Sequence, residues 1–355
     1  MSQTVSRDEI KLYTGLLLIS ISALVVFFGL VFVSLTAPNS ATLDSTEVQT
    51  SPIDQNVQPV TQSSETKNVL EESLNGVMTV YIESDNQFIS QGSAFLISEG
   101  YVVTNNHVVD SEGTIFLQYR NGDWSRAEIV GTDADTDLAV LRPSTIPTYS
   151  QSFEIADTNP NVGTQVYALG SPAGRSGSVT SGIISATDRS LQLNSQYAIP
   201  DVIQTDAELT NGSSGGPLIN SQGVVVGVNS AREGSNIGFA ISPQVTTTVV
   251  QSLIETGDHN HPLLGVVTTE LNPLSPQYGE YATEGVVVRD TLTDSSSAAL
   301  QQTDIILSIN GESVRTNEDV SSYLIRETSP DETVELTIVR DSTQKTVSVE
   351  LQQRE

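Results

Sequence analysis

The sequence predicts a mostly β protein in which an apolar segment precedes two globular parts. Three observations carry this reading. Between about residues 70 and 242, short runs such as "GVMTVYIE", "GSAFLIS", "TIFLQYR", "LAVLRP", "TQVYALG", "SGIISAT" and "GVVVGVNS" are separated by Gly, Asn, Asp and Ser. Many short strands with regular turn signals are the pattern of a sandwich or barrel. Beyond "DHNHP" (258–262), further strand-like runs and two helix-like segments form a second, smaller unit. Finally, "LYTGLLLISISALVVFFGLVFVSLTA" (12–37) is uncharged and long enough to cross a bilayer.

Taken in order, residues 1–11 hold Arg7 and Lys11, and the next basic residue past the apolar segment is Lys67. The positive-inside bias therefore puts 1–11 in the cytoplasm and the bulk of the chain outside. A cleaved signal peptide has a shorter apolar region ending in an A-x-A-like site, so 12–37 reads as an uncleaved transmembrane anchor. Residues 38–69, rich in Ser, Thr, Gln and Pro, read as a disordered linker. The first globular domain spans 70–257 and closes with a helix. Ser242 can cap that helix, Pro243 suits its first turn, Val245, Val249, Leu253 and Ile254 share one face, and Gly257 marks its end. Residues 258–262 form a linker, and 263–352 the second domain.

The 355-residue chain carries 43 acidic and 15 basic residues, a net charge of -28, with only three lysines. Nucleic acid is excluded as a partner, because phosphate binding needs clustered Lys and Arg. The acids are scattered among 37% hydrophobic residues, so this is a folded chain with an acidic surface, similar to proteins of brines. There is no cysteine, which removes thiol nucleophiles, thiolate metal sites and disulfides.

The candidate chemistry lies in three stretches. His107 follows the strand-like "YVVTNN", where a strand could hold it at a barrel rim, whereas His259 and His261 read as solvated linker residues. In "TDADTDLAVL", Asp137 directly precedes an apolar strand, while Asp133 and Asp135 read as turn acids; spacing alone does not choose between Asp135 and Asp137. In "TNGSSGGPLIN" (210–220), glycines crowd two serines, as a backbone does when its amides must approach a reacting oxygen. A serine nucleophile needs a base, and the base an orienting carboxylate. His, Asp and Ser occur in that order on a β scaffold.

With these motifs the sequence resembles the HtrA (DegP/Deg) serine proteases of the chymotrypsin fold. "TNNHVV", "TDLAVL" and "GSSGGPL" match that family's three catalytic motifs, and "LGSPAG", "VTSGIIS" and "IGFAIS" its substrate-binding segments. The resemblance covers about residues 70–352. It implies a two-barrel chymotrypsin-like domain followed by a small α+β PDZ domain. By the same resemblance His107 is the general base, Asp137 its orienter and Ser214 the nucleophile, with the Gly212 and Ser214 amides as oxyanion hole. Glu208, Ile237, Gly238 and Phe239 would line the substrate pocket; a buried Glu208 would favour basic side chains there. Leu263, Leu264, Gly265 and Val266 resemble the carboxylate-binding loop of a PDZ domain, which captures peptide C-termini. Two departures stand out: "TNGS" replaces the usual Asn-Pro-Gly-Asn before the nucleophile, and Thr303 stands where a Gly is usual.

The resemblance implies a membrane-anchored, ATP-independent endopeptidase acting on unfolded or damaged proteins outside the cytoplasmic membrane. It implies a homotrimer and neither metal nor cofactor. A catalytically latent peptide-binding or chaperone-like protein on the same scaffold is the alternative. A serine esterase of another fold is disfavoured, because its nucleophile would sit in a G-x-S-x-G elbow between strand and helix.

Overall fold

The computed structural model describes residues 64–354 except 172–176, 193–197, 211, 234–236, 280–281 and 293–298. The apolar segment 12–37 lies outside the described residues. Among the described residues no helix is long and apolar enough to cross a membrane.

The first barrel is built from β1 (Val77–Ser84), β2 (Gln87–Leu96), β3 (Val102–Thr104), β4 (Thr114–Gln118), β5 (Trp124–Asp133) and β6 (Leu138–Pro143), closed in the order β1-β2-β3-β6-β5-β4. The second comprises β7 (Gln165–Gly170), β8 (Ser178–Gln192), β9 (Ala198–Thr205), β10 (Pro217–Asn220), β11 (Val225–Glu233) and β12 (Ile237–Ile241), closed as β10-β11-β12-β9-β8-β7. Successive side chains of a strand point to opposite faces. Ala94, Leu96, Val102, Ala139 and Leu141 therefore fill the first barrel. Their neighbours Phe95, Val103, Leu138 and Val140 instead pack with Tyr167, Leu169, Ile199 and Val202 in the seam between the barrels. These strands are buried on both faces, which is why their sequences are continuous apolar runs rather than alternating ones.

Helix α1 (Ser64–Ser73) precedes the first barrel. It overlaps the end of the stretch expected to be disordered, and tertiary contacts explain the difference. Leu70 packs against the seam core, and Arg120 donates to the Glu71 carbonyl at 2.8 Å. A one-turn helix α2 (Asn106–Val109) follows β3, so His107 stands on a helical turn rather than at a strand end. Helix α3 (Pro243–Thr256) is capped as its sequence indicates: the Ser242 hydroxyl accepts from the Val245 amide, and Gly257 takes φ 84°. Its Val245, Val249, Val250 and Leu253 seal the seam.

Short strands β13 (Pro262–Leu263) and β20 (Gln352–Gln353) pair with each other. The second domain is a sheet ordered β14 (Val266–Glu270), β15 (Val286–Thr291), β16 (Ile305–Ile309), β18 (Thr333–Arg340), β19 (Thr343–Glu350), with β17 (Glu312–Ser313) pairing β16. Helix α4 (Asn317–Glu327) starts in a capping box of Thr316 and Asp319 and packs Val320, Tyr323 and Leu324 into this domain's core. Its next residue, Ile325, joins the seam core of the barrels. Arg326 then reaches three carboxylates, Asp188 at 3.2 Å, Glu312 at 3.5 Å and Asp201 at 3.7 Å. Asp201 is fully buried; burial raises its pKa against the opposing effects of the Ser242 hydroxyl and Arg326.

Two linker expectations are corrected. His261 is not solvated: its Nε2 lies 2.9 Å from Asp133 Oδ1, and its side chain is only 12% exposed. Asp133 is likewise buried, and the Thr136 hydroxyl donates to it. His259 stacks edge-on against His261, with ring centroids 4.7 Å apart, and its Nδ1 lies 3.1 Å from the Ser252 hydroxyl. A buried carboxylate needs such partners, which is why a histidine 128 residues away is drawn onto Asp133.

Candidate active site

Asp137 sits between the turn after β5 and the start of β6, at φ 58°, a left-handed conformation rarely taken by a non-glycine residue. That turn is held by its carbonyl, which accepts from the Asn105 side-chain amide at 2.8 Å and the Asn106 amide at 3.1 Å. The carboxylate thereby faces α2. It accepts from the His107 backbone amide at 3.0 Å and lies 2.9 and 2.8 Å (Oδ1, Oδ2) from His107 Nδ1. The hydrogen bond to Asp137 raises the His107 pKa above the ordinary imidazole value, outweighing partial burial. Asp135 makes no such contact and instead pairs with Arg354 at 3.4 Å.

The second barrel brings two serines to this pair. Ser230, on β11, donates its hydroxyl to Asp137 Oδ2 at 2.9 Å. Its carbonyl accepts the hydroxyl of Ser214 at 3.0 Å. A continuous path His107–Asp137–Ser230–Ser214 thus crosses the two barrels. Ser230 was not singled out in the sequence, where it is one more polar residue between Asn229 and Ala231.

The two serines of the glycine-rich turn are used differently. Ser213 is buried, and its hydroxyl accepts from the Thr210 amide at 3.2 Å. Ser214 is half-buried, and its hydroxyl reaches the Ser230 carbonyl on the path that ends at His107. The turn is pinned from the first barrel: the Ser93 hydroxyl donates to the Gly212 carbonyl at 2.6 Å, and the Ser93 amide to the Ser214 carbonyl at 2.8 Å. Gly212 has φ 101°. At Gly215 a Cβ would lie 2.3 Å from the Ser93 carbonyl and the Thr104 hydroxyl, so the approach of the two barrels requires glycine there. Among the described residues neither the Gly212 nor the Ser214 amide donates a hydrogen bond.

The trypsin-like peptidase domain family matches residues 92–228, and the PDZ domain family residues 262–351. A solved HtrA-type protease, AlgW with a tripeptide, is 30% identical, with a TM-score of 0.69 over 82% of this chain and 97% of that one. The chain belongs to the HtrA family of serine proteases. A periplasmic serine endoprotease of DegP-like type from Marinomonas sp. is 38% identical over 277 residues, 75% of this chain and 57% of that relative. The Do-like serine protease HtrA of Bacillus subtilis is 31% identical over 72% of this chain and 61% of its own length. This chain therefore spans little more than half the length of such curated relatives.

The remaining HtrA-type positions divide. Ile237, Gly238 and Phe239 lie on β12, with Ile237 37% exposed and Phe239 buried. Glu208 is exposed, so a buried acid at the pocket floor is not what the chain builds. Its neighbour Leu209 is buried instead, where a Cβ on Gly238 would come within 2.9 Å of its Cγ. In the PDZ part, Leu264 is buried, Gly265 has φ 73° and Val266 opens the edge strand β14. Thr303, where the family usually has glycine, takes φ 74°.

Proposed function

We propose that this chain is a serine endopeptidase working by an acyl-enzyme mechanism, and that its PDZ domain captures peptide C-termini. The observation that carries the first part is the His107–Asp137–Ser230–Ser214 path. In this mechanism Ser214 Oγ attacks the scissile carbonyl carbon while its proton passes to His107 Nε2. Asp137 keeps the other imidazole proton on Nδ1 and stabilises the imidazolium that forms. The imidazolium then gives its proton to the leaving amine, and water repeats the cycle on the ester. The Gly212 and Ser214 amides, unused among the described hydrogen bonds, are available to the developing oxyanion.

Capture at the PDZ domain rests on Leu263–Val266 beside the edge strand β14, to which a peptide could add as a further strand. A related HtrA-type structure contains a bound tripeptide, which supports this reading. The uncharged segment 12–37 would anchor the chain, and the periplasmic relatives support an extracytoplasmic catalytic domain. Unfolded or damaged proteins would be the substrates, and a homotrimer the assembly.

The latent alternative is favoured by one observation: the Ser214 hydroxyl is bonded to the Ser230 carbonyl. Cleavage of casein by the detergent-solubilised chain, beside Ser214→Ala, tests the proposal. Turnover that is lost in the variant supports the protease. A folded chain without turnover, even with added C-terminal peptides, supports the binding protein.

A further inference from the structure

The second barrel and the PDZ domain together line a polar, half-open pocket of ≈ 640 Å³, within the usual range of about 300–1,000 Å³ for ligand sites. Asp188 and Arg189 of β8 line one side, and Glu270, Glu318, Ser322 and Arg326 the other. Ser322 is 1% exposed, yet its hydroxyl has no hydrogen-bond partner among the described residues, and neither has the buried Arg326 Nε. A buried hydroxyl without a partner is costly, and a donor in this cavity would supply one to the Ser322 oxygen; Arg326 Nε, itself a donor, gains nothing from a cationic ligand.

Position decides which ligand. Glu270 ends β14, four residues beyond Val266, and Thr268 between them donates to the Asn317 side chain on α4 at 2.8 Å. A peptide adding antiparallel to β14, with its carboxylate at Leu263–Val266, advances about 3.4 Å per residue. Its fifth residue from the end would then stand beside Glu270, at the mouth of the cavity.

Charge decides the chemistry. Arg326 is already shared among Asp188, Asp201 and Glu312, and Arg315 pairs with Asp319 at 3.8 Å. No ion pair among the described residues engages Glu270 or Glu318; on the barrel side, Arg189 is the cation in the same position.

We propose that this cavity is an upstream subsite of the PDZ groove, and that it selects captured C-termini with a basic side chain about five residues from the end. The proposal rests on the peptide-capture reading above. The test measures fluorescence anisotropy of labelled nonapeptides with the full-length Ser214→Ala chain in detergent. The peptides share an apolar C-terminal tetrapeptide and carry Lys, Gln or Glu at the fifth position from the end. The Lys peptide should bind about fivefold tighter than the Glu peptide, an advantage that shrinks in high salt. Glu270→Gln with Glu318→Gln should abolish the preference without weakening the Gln peptide, and Arg189→Gln should enlarge it. Equal binding of all three peptides, with loss on C-terminal amidation, would overturn the subsite and leave C-terminal capture standing. Binding indifferent to amidation, or none at all, would overturn capture and the subsite together.

Discussion

Ser230 joins the two halves of the site: its hydroxyl donates to Asp137 across 2.9 Å while its carbonyl accepts the Ser214 hydroxyl across 3.0 Å. In the proposed mechanism, the hydroxyl that would attack is thus bonded to the backbone of the residue whose side chain bonds the carboxylate beside His107. Rotation about one serine side-chain bond, a picosecond-to-nanosecond motion, would release it.

Ser230→Ala tests the side-chain half of that link, because the carbonyl remains. A hydrogen bond to a charged group contributes about 1.5–3 kcal/mol, so kcat/KM should fall roughly 10–100-fold. Tm should also fall by several degrees, because the folded state loses the same bond. Steady-state kinetics on a peptide substrate beside a thermal melt would check this, and unchanged kinetics would remove Ser230 from the mechanism.

The pH dependence follows from His107. Its pKa is raised, chiefly by the Asp137 hydrogen bond, and only neutral imidazole accepts the serine proton. Activity should therefore rise with pH through a midpoint above 6.5. The pair's contribution to stability runs the other way: it is fully present below 6.5 and lost as pH rises through the folded value. Asp137→Asn should lower kcat by something on the order of 10⁴, as expected when the carboxylate of such a triad is lost. A pH–rate profile of both proteins measures midpoint and loss together.

Thr303 is a β-branched residue at φ 74°, a backbone conformation costing about 1–2 kcal/mol for a residue with a Cβ. Thr303→Gly should stabilise the PDZ domain by about 1 kcal/mol, less what glycine adds to unfolded-state freedom. Denaturant melts would show a higher midpoint at constant m-value, and a lower midpoint would mean that the side chain contributes more than the strain costs.

The Asp133–His261 link should fail in acid. Burial alone would raise the Asp133 pKa, but hydrogen bonds from His261 and Thr136 and the imidazole charges outweigh it, and the value is lowered. Its stabilisation is present above the ordinary carboxylate value and lost as pH falls through the lower folded value. His259 is lowered by burial and by His261, so its neutral form is favoured and stability begins to fall below about 6.5. Limited proteolysis between α3 and β13 should accelerate as the pH drops, and a His261→Ala chain should be cut readily at neutral pH. Equal resistance of the variant would show that this linker does not depend on the pair.

Much of this was legible in the sequence, for reasons that differ by element. The caps of α3 are local signals, and Ser242 and Gly257 stand where their chemistry puts them. His107, the acids of 133–137 and the serine pair 213–214 stood out by order and by glycine density, and the family resemblance singled out Asp137 and Ser214 among them. Ser230 did not, because its role depends on Asp137, 93 residues away, and a serine inside a strand carries no local mark. The choice between Asp135 and Asp137 needed the left-handed turn that aims one carboxylate at α2. Asp133 and His261 read as solvent-facing because each is polar alone; only their pairing makes burial tolerable. Helix α1 was hidden for the opposite reason: few apolar residues, whose partners lie elsewhere in the chain.

The most direct test is covalent. The full chain is treated with a fluorophosphonate and the modified residue located by mass spectrometry, beside Ser214→Ala and His107→Ala. The account predicts phosphonylation of Ser214, none in the serine variant, and labelling slowed at least about 100-fold without the imidazole, as expected when a general base is removed. Labelling of Ser213, or labelling of Ser214 at an unchanged rate in the His107 variant, would contradict it.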